Sequence, residues 1–269
     1  MKTSLLTAII ALLAFPVLAQ DYAVEQLESS PRHHEWVTIE SNERTLHNFV
    51  VYPETSEPAP IVIVIHENRG LNDWARSFAD QLAGKGFIAV APDLISNTVA
   101  GIEKTGDFKN SDAARQALYD LDPDHVTTDL MNVLEYAKTI KAGNGTFAVA
   151  GFCWGGSQSF RLATNAGDAI DAAFVFYGTG PGDAEAYADI KVPVYGFYGA
   201  NDERVNSTIA DSEAAMKRFG KTYDYKIYEG AGHAYMRSGD DPEKPQDDPN
   251  VEARNKSWER LVSILNNFN

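Results

Sequence analysis

Short apolar runs alternate with segments of helical periodicity from residue 34 to the end of the chain. The run Ile61-Val62-Ile63-Val64-Ile65 is apolar at every position, which is typical of a strand buried on both faces of a parallel sheet. His34–Glu40 and Thr45–Pro53 predict an antiparallel hairpin around Asn42-Glu43. With the apolar runs at 87–90, 146–152, 172–177, 192–198 and 223–228, the pattern predicts about eight strands.

Four segments carry apolar residues at helical spacing and predict the main helices. These segments are 72–85, 123–141, 205–219 and 258–268. The stretch Gly239–Asn250 contains three prolines among acidic residues and is predicted to be a solvated loop. Strands alternating with helices predict an α/β fold, in which helices cover both faces of a mostly parallel central sheet.

The first nineteen residues have the character of a secretory signal peptide. Lys2 precedes an apolar run from Leu5 to Leu18, and small side chains at Val17 and Ala19 suit cleavage after Ala19. The run is shorter than the roughly 20 residues that span a bilayer. We therefore expect a signal peptide at 1–19, a single α/β domain at 20–269, and a periplasmic or secreted location.

Charge and cysteine content exclude several functions. Across 269 residues, 23 Lys and Arg stand against 38 Asp and Glu, giving a net charge of −15. Without a basic cluster, neither nucleic acid nor an anionic membrane is an expected partner. Cys153 is the single cysteine of the chain, which excludes an intramolecular disulfide and a zinc site built on paired cysteines. If this thiol has a function, it acts as a reactive group.

Cys153 occupies the position of a nucleophile in Gly151-Phe152-Cys153-Trp154-Gly155-Gly156, directly after an apolar strand and before a predicted helix. A sharp turn there would lift the side chain above the sheet. Gly151 and Gly155 suit the turn because a Cβ two residues from the nucleophile would clash within it. A buried structural cysteine is the alternative, which the flanking glycines disfavour.

A nucleophilic thiol needs a base and a carboxylate that orients the base. Asp202 ends one later apolar strand, and His233 follows the next strand in a glycine-rich loop. The order nucleophile, acid, histidine is that of α/β-hydrolases. Glu203 is the alternative orienting acid, whereas His233 has no competing histidine after Cys153.

Five segments together resemble the dienelactone hydrolase (carboxymethylenebutenolidase) family. They are Ile65-His66-Glu67-Asn68-Arg69-Gly70, Ala91-Pro92-Asp93-Leu94, the Cys153 segment, Gly199-Ala200-Asn201-Asp202 and Gly232-His233-Ala234-Tyr235. The resemblance covers roughly residues 35 to 268. It implies an α/β-hydrolase fold and a Cys-His-Asp triad of Cys153, His233 and Asp202.

The resemblance also assigns two charged residues. It implies that Glu67 contacts the nucleophile and couples its ionisation to substrate binding, and that Arg237 pairs with Glu67 or with a substrate carboxylate. The family's second carboxylate-binding arginine is replaced here by Ile95-Ser96-Asn97, so we expect weaker selection of anionic substrates. The segment Ser96–Asp122 either shapes the pocket or is a plain surface excursion.

The sequence therefore predicts a cysteine-dependent hydrolase of a lactone or small ester that uses no cofactor or metal and is a monomer or weak oligomer. The backbone N–H groups of Trp154 and Asn68 are the expected oxyanion donors. His66 is expected to be a hydrogen-bonded structural residue, and His33 and His34 point to opposite faces of a strand rather than to one metal. The alternatives are a ligand-binding or redox-sensing protein, and an esterase or thioesterase with an unrelated substrate.

Overall fold

A computed structural model describes residues 21–268, so the predicted signal peptide at 1–19 lies outside the described residues. In the described range the chain forms eight strands: β1 His33–Ser41, β2 Arg44–Tyr52, β3 Ala59–Ile65, β4 Ile88–Pro92, β5 Gly143–Phe152, β6 Ala172–Phe176, β7 Val194–Gly199 and β8 Tyr223–Tyr228. They form one sheet in the order β1-β2-β4-β3-β5-β6-β7-β8. β2 pairs antiparallel with β1 and β4, and all other neighbouring strands are parallel.

The helices of the same range are α1 Asp21–Ser29, α2 Asp73–Ala83, α3 Ser111–Tyr119, α4 Pro123–Ala137, α5 Trp154–Ala163, α6 Glu203–Asn206, α7 Ile209–Arg218, α8 Tyr235–Ser238 and α9 Pro249–Asn266. Short 3₁₀ helices occur at Thr105–Asp107 and Ala184–Asp189. None of these helices is long and apolar enough to span a bilayer. The predicted α/β architecture is confirmed.

The predicted hairpin is confirmed, and its turn explains its register. Asn42 and Glu43 both have positive φ angles, 48° and 59°, as a two-residue turn of type I′ requires. Ser41 therefore pairs directly with Arg44, and pairing continues to His33 opposite Tyr52.

The core lies on both faces of the sheet because successive side chains of a buried strand point to opposite faces. Ile61, Ile63 and Ile65 of β3 pack into one buried cluster with α4, α5 and α7, whereas Val62 and Val64 pack into the other with α2 and α9. A strand apolar at every position is therefore required at the centre of the sheet. Because β3, β5, β6 and β7 are neighbouring parallel strands, their carboxyl ends lie at the same edge of the sheet, and the candidate site lies there.

Three helix predictions differ from the structure. The last helix, predicted over 258–268, begins nine residues earlier, as α9 Pro249–Asn266. Segment 205–219 does not form one helix but breaks between α6 and α7. The hydroxyls of Ser207 and Thr208 donate to the carbonyls of Arg204 and Val205, which satisfies the end of α6 and stops it. In addition, residues 21–29 form α1, which was not predicted and which packs on α2.

Candidate active site

Cys153 lies at a strained turn between β5 and α5, as the sequence predicts. Its φ of 54° and ψ of −114° lie in a region that a residue with a Cβ rarely adopts. The N–H of Cys153 donates to the carbonyl of Phe176 at 3.0 Å, which ties the turn to the end of β6. The thiol therefore stands at the carboxyl edge of the sheet, and α5 begins at the next residue.

The glycines around Cys153 are required by close backbone contacts. A Cβ on Gly151 would lie 1.9 Å from the carbonyl oxygen of Gly155, and a Cβ on Gly155 would lie 2.4 Å from the carbonyl oxygen of His66. Real Cβ atoms do not approach other atoms so closely. Gly155 thus lets the segment that follows β3 lie against the first turn of α5.

The structure brings Cys153, His233 and Asp202 into one hydrogen-bonded chain. His233 Nε2 lies 3.1 Å from Cys153 Sγ, and His233 Nδ1 lies 2.5 Å from Asp202 Oδ2. Because an ionised carboxylate can only accept, Nδ1 carries the proton and Nε2 is left to accept from the thiol. Asp202 is buried, whereas Glu203 is exposed on α6, so Asp202 occupies the orienting position.

Glu67 is buried beside this chain and is paired with Arg237. Arg237 Nε donates to Glu67 Oε2 at 2.7 Å, and the Tyr177 hydroxyl donates to Glu67 Oε1 at 3.3 Å. Of the two partners that the resemblance allowed for Arg237, the structure therefore shows Glu67. The hydrogen bonds of Glu67 run to these two side chains, and its influence on Cys153 is electrostatic.

Burial raises the pKa of the Cys153 thiol to about 11, and the charge of Glu67 adds to the increase. The N–H of Trp154 contacts the sulfur and acts in the opposite direction, by stabilising the thiolate. Deprotonation by solvent at neutral pH is therefore unfavourable. The thiol is expected to remain neutral until His233 takes its proton during the reaction.

Glu67→Gln is expected to speed alkylation of Cys153 by iodoacetamide near neutral pH. The substitution removes a negative charge and leaves Arg237 unpaired, and both changes favour the thiolate. A pKa lower by one unit would raise the thiolate fraction about tenfold at neutral pH. Alkylation rates measured against pH should shift to lower pH in Glu67→Gln, but not in Glu203→Gln, which removes an exposed carboxylate. Profiles of Glu67→Gln and wild type that superimpose would contradict a coupling between Glu67 and the thiol.

The expected oxyanion donors lie on two neighbouring segments. Trp154 is the first residue of α5, so its N–H lacks an intrahelical acceptor and is directed at the thiol. Asn68 lies on the segment that Gly155 brings against α5, and its side chain donates to the Tyr119 hydroxyl at 3.3 Å. Trp154 and Asn68 therefore lie on neighbouring segments, as the sequence indicates. That their backbone N–H groups bind an oxyanion stays a prediction.

His66 is a structural residue, as predicted. Its ring is fully buried, donates from Nδ1 to the carbonyl of Glu67 at 2.7 Å and accepts at Nε2 from the N–H of Leu94 at 3.3 Å. Burial lowers the pKa of His66 to about 4, so the ring is neutral at neutral pH. The ring also stacks on Trp154, with centroids 5.7 Å apart.

A cavity of about 650 Å³ lies beside the Glu67–Arg237 pair. Arg237 lines it, and much of its wall comes from 104–114, within the segment Ser96–Asp122. Of the two interpretations of that segment, the structure favours the one in which it shapes a pocket. It is also partly helical, since it contains α3 and the 3₁₀ helix Thr105–Asp107.

Three features of the site were missed by sequence reasoning. Tyr177 is fully buried at the end of β6 with a φ of 39°, and its ring lies edge-on to His233 with centroids 5.1 Å apart. Tyr177 directly follows the apolar strand β6, and this position could have indicated a site residue. Arg69 and Lys104 line the cavity; Arg69 belongs to the segment that follows β3, whereas no comparable pattern marks Lys104.

Within residues 21–268 no group of three His, Cys, Asp or Glu side chains is arranged to hold a metal ion. His34 Nε2 instead lies 2.8 Å from Asp80 Oδ1, and His33 Nε2 lies 3.6 Å from Glu35 Oε2.

The sheet order, the helices on both faces and the strained turn after β5 define an α/β-hydrolase fold. The model of the dienelactone hydrolase family matches residues 46–269. The chain belongs to the dienelactone hydrolase family and is a dienelactone hydrolase-like hydrolase.

Individual relatives agree with this assignment. A protein of Saccharolobus solfataricus named "Putative carboxymethylenebutenolidase" is 31% identical over 258 residues, which cover 85% of this chain and 96% of that protein. Carboxymethylenebutenolidase 1 of Cupriavidus pinatubonensis is 28% identical over 187 residues, covering 68% and 78% respectively. The fold is similar to that of a crystal structure described as a putative dienelactone hydrolase from Klebsiella pneumoniae, with a TM-score of 0.74 and 22% identity over 87% of this chain and 98% of its own.

Proposed function

We propose that the protein uses Cys153 as a nucleophile to hydrolyse a lactone or small carboxylic ester through a thioester. The observation that carries this proposal is the hydrogen-bonded chain from Asp202 through His233 Nδ1 and Nε2 to the thiol. Cys153 Sγ lies at a turn that exposes it to the carboxyl edge of the sheet. A buried structural cysteine would need neither an oriented base nor a strained backbone.

The first half of the reaction acylates the thiol. His233 Nε2 takes the thiol proton, with Asp202 stabilising the imidazolium, while the sulfur adds to the carbonyl carbon. The carbonyl oxygen becomes an oxyanion, which the backbone N–H groups of Trp154 and Asn68 would bind. Collapse of this intermediate breaks the bond to the alcohol oxygen, which takes the proton from His233 Nε2. A thioester remains on Cys153.

Water then hydrolyses the thioester. His233 Nε2 takes a proton from the water as its oxygen adds to the carbonyl, and the thiolate leaves and regains that proton. The product is a carboxylic acid. When the substrate is a lactone, the alcohol oxygen stays attached to the acyl group, so a single hydroxy or keto acid is released.

The negative charge of Glu67 gives a reason why the thiol of Cys153 would become reactive only when substrate binds. This fixed charge opposes both the thiolate and the oxyanion, and in the structure it is balanced by Arg237. A substrate carboxylate that binds Arg237 would draw the guanidinium away and make Glu67 free to move. This role of Arg237 in substrate binding follows from the family resemblance and is part of the proposal.

We also propose that the chain is exported, with a signal peptide at 1–19 and a single mature domain from Gln20 to Asn269. The sequence of the leader supports this proposal. In an oxidising compartment a neutral resting thiol would react more slowly with oxidants than a free thiolate does.

Trapping of the acyl intermediate tests the mechanism. Protein purified from its native host is mixed with a p-nitrophenyl ester, quenched in acid within one turnover and measured by intact mass spectrometry. We expect an added acyl group that maps to Cys153 and is removed by neutral hydroxylamine. The intact mass also shows whether the mature chain begins at Gln20.

Other outcomes would overturn the proposal. Steady hydrolysis after Cys153 has been fully alkylated, or an adduct on another residue, would remove Cys153 as the nucleophile. Oxidation of Cys153 with no turnover of any lactone or ester would favour the redox-sensing alternative instead.

A further inference from the structure

β8 is an edge strand of the sheet, and its outer side is open. It pairs with β7 at six successive positions, from Tyr223 opposite Val194 to Tyr228 opposite Gly199, without a bulge. It contains no proline, and among residues 21–268 no strand lies on its other side. Proteins usually block such an edge with a proline, a bulge or a covering element, because its free backbone groups can pair with another chain. The outer side of β8 is therefore a candidate interaction surface.

The hydrogen bonds to β7 show which backbone groups of β8 point outward. The carbonyls of Thr222 and Tyr228 accept from N–H groups at the two ends of β7. Because successive residues of a strand direct their backbone groups to opposite sides, the even-numbered residues of β8 face β7 and the odd-numbered ones face outward. The N–H and C=O groups of Tyr223, Tyr225 and Ile227 therefore lie on the open side. In the described part of the chain, no turn, loop or side-chain hydrogen bond reaches them.

The order of residues along β8 is complementary to itself when two copies pair antiparallel about Tyr225. A two-fold axis at Tyr225 places Tyr223 opposite Ile227 of the second copy, and Asp224 opposite Lys226. The three outward-facing residues then form the hydrogen-bonded pairs of an antiparallel ladder, whose members exchange N–H and C=O bonds. Asp224 and Lys226 fall at the intervening positions, where opposite side chains approach most closely.

Both faces of this pairing join side chains that attract each other. Tyr223 and Ile227 share one face, Ile227 is 45% exposed, and pairs of an aromatic with a β-branched residue stabilise neighbouring strands. On the other face, Asp224 is 63% exposed and pairs with Arg260 through one carboxylate oxygen, at 3.1 Å. Lys226 forms no ion pair within residues 21–268. The second copy would supply the carboxylate that Lys226 lacks.

The charge around this edge suits a contact between identical chains. The whole chain has a net charge of −15, so two copies repel each other over much of their surfaces. The groove lined by β8 and α9 is different, because it contains as many basic as acidic side chains. They are Asp224, Glu229, Glu259, Lys226, Lys256 and Arg260. Net charge therefore opposes self-association less here than elsewhere on the molecule.

We propose that two copies of the chain associate through β8, paired antiparallel about Tyr225, and join their two eight-stranded sheets into one. The parallel strands of the second copy then run in the opposite direction, so the two candidate active sites lie at opposite ends of the strands and each is complete within one copy. A single pair of six-residue strands buries less than the roughly 1,600 Å² of a standard interface, so the dimer is weak and depends on concentration. The inference does not depend on the proposed hydrolase function.

Charge substitutions on β8 test both the surface and the register. Sedimentation velocity of wild type over a wide range of concentration should show a monomer–dimer equilibrium. Lys226→Asp and Asp224→Lys each place like charges opposite one another twice, so each variant alone should have a dissociation constant about tenfold higher or more. An equimolar mixture of the two variants should dimerise again, because every facing pair then joins an acid with a lysine.

Lys141→Asp is the matched control, since it makes the same change of charge at an exposed lysine outside β8 and α9. It should dimerise like wild type, and a loss equal to that in Lys226→Asp would show an effect of net charge and overturn the inference. Wild type that stays monomeric at every concentration would overturn it, as would dimers that persist in both β8 variants. A mixture of the two variants that stays monomeric would refute the register about Tyr225.

Amide hydrogen exchange of the unmodified protein tests the same pairing without a substitution. The amides of Tyr223, Tyr225 and Ile227 should become protected when the concentration is raised, whereas those of Asp224 and Lys226 should be protected throughout by β7. Exchange at the three outward amides that is the same at low and high concentration would contradict association through β8. Protection of these amides in the monomer would also contradict it, because the edge would then be covered by the chain itself.

Discussion

Cys153→Ala is expected to lower kcat for ester hydrolysis by about 10⁴-fold or more while the free energy of unfolding changes by less than about 1 kcal/mol. The substitution removes one sulfur atom from a partly buried side chain and leaves the strained backbone unchanged. His233 would then remain in place as a proton acceptor, with no nucleophile to activate. Initial rates on a p-nitrophenyl ester and urea unfolding of the same preparation check both parts.

A double variant makes this test sharper. If Cys153 and His233 act as one unit, Cys153→Ala/His233→Ala should be no slower than either single variant. Cys153→Ser should also be slow, because a site whose base is matched to a thiol must deprotonate a much less acidic hydroxyl. Full activity in Cys153→Ala, or effects of the two single substitutions that multiply, would refute the assignment.

Gly155→Ala is expected to reduce the free energy of unfolding by about 3 kcal/mol or more, or to prevent folding. The new Cβ would lie 2.4 Å from the carbonyl oxygens of both Ile65 and His66. These are backbone atoms at the end of the central strand β3, so no rotation of a side chain can relieve the contact. The midpoint of urea denaturation measures the loss.

Gly182→Ala provides the matched control, because a Cβ at Gly182 would have no atom within 4 Å. Its midpoint should stay close to that of wild type, since an exposed change away from special contacts alters the free energy of unfolding by about 0.5 kcal/mol or less. If Gly155→Ala is as stable as Gly182→Ala, the segment after β3 can move away from α5, and the rigid placement of Asn68 would be wrong.

Local sequence was enough to predict the sheet and the candidate triad. A strand that is buried on both faces must be apolar at every position, and β3 meets this requirement. Cys153, Asp202 and His233 each follow a strand, and parallel strands end at one edge of the sheet, so their meeting follows from chain order.

Features that depend on distant segments could not be predicted. Asp240 belongs to the predicted solvated loop, yet its carboxylate accepts from Trp74 Nε1 at 3.1 Å and forms an ion pair with Arg254. That expectation was wrong for Asp240, because nothing local distinguishes it from the exposed acids around it. The cationic lining of the cavity has the same origin, since Arg69 and Lys104 line one cavity from segments 35 residues apart in sequence.

The position of the first helix has a similar cause. α1 buries Ala23 and is also held by Asp80, which accepts from Gln26 and from Ser30 just after the helix and pairs with Arg32. These partners lie about fifty residues apart in sequence. Helical periodicity in 21–29 is too weak to indicate a helix that is stabilised by a partner so far along the chain.

The four tryptophans of the chain give the protein an intrinsic fluorescence that can be used to follow binding and catalysis. Trp74 and Trp258 are buried against Phe78 in the core, so their emission should change little when a ligand binds. Trp154 follows the thiol and stacks on the neutral ring of His66, whereas Trp36 lines the cavity beside the Glu67–Arg237 pair. Acylation and occupation of the cavity therefore perturb different fluorophores, and replacing either tryptophan by phenylalanine would let a stopped-flow trace follow one event without the other.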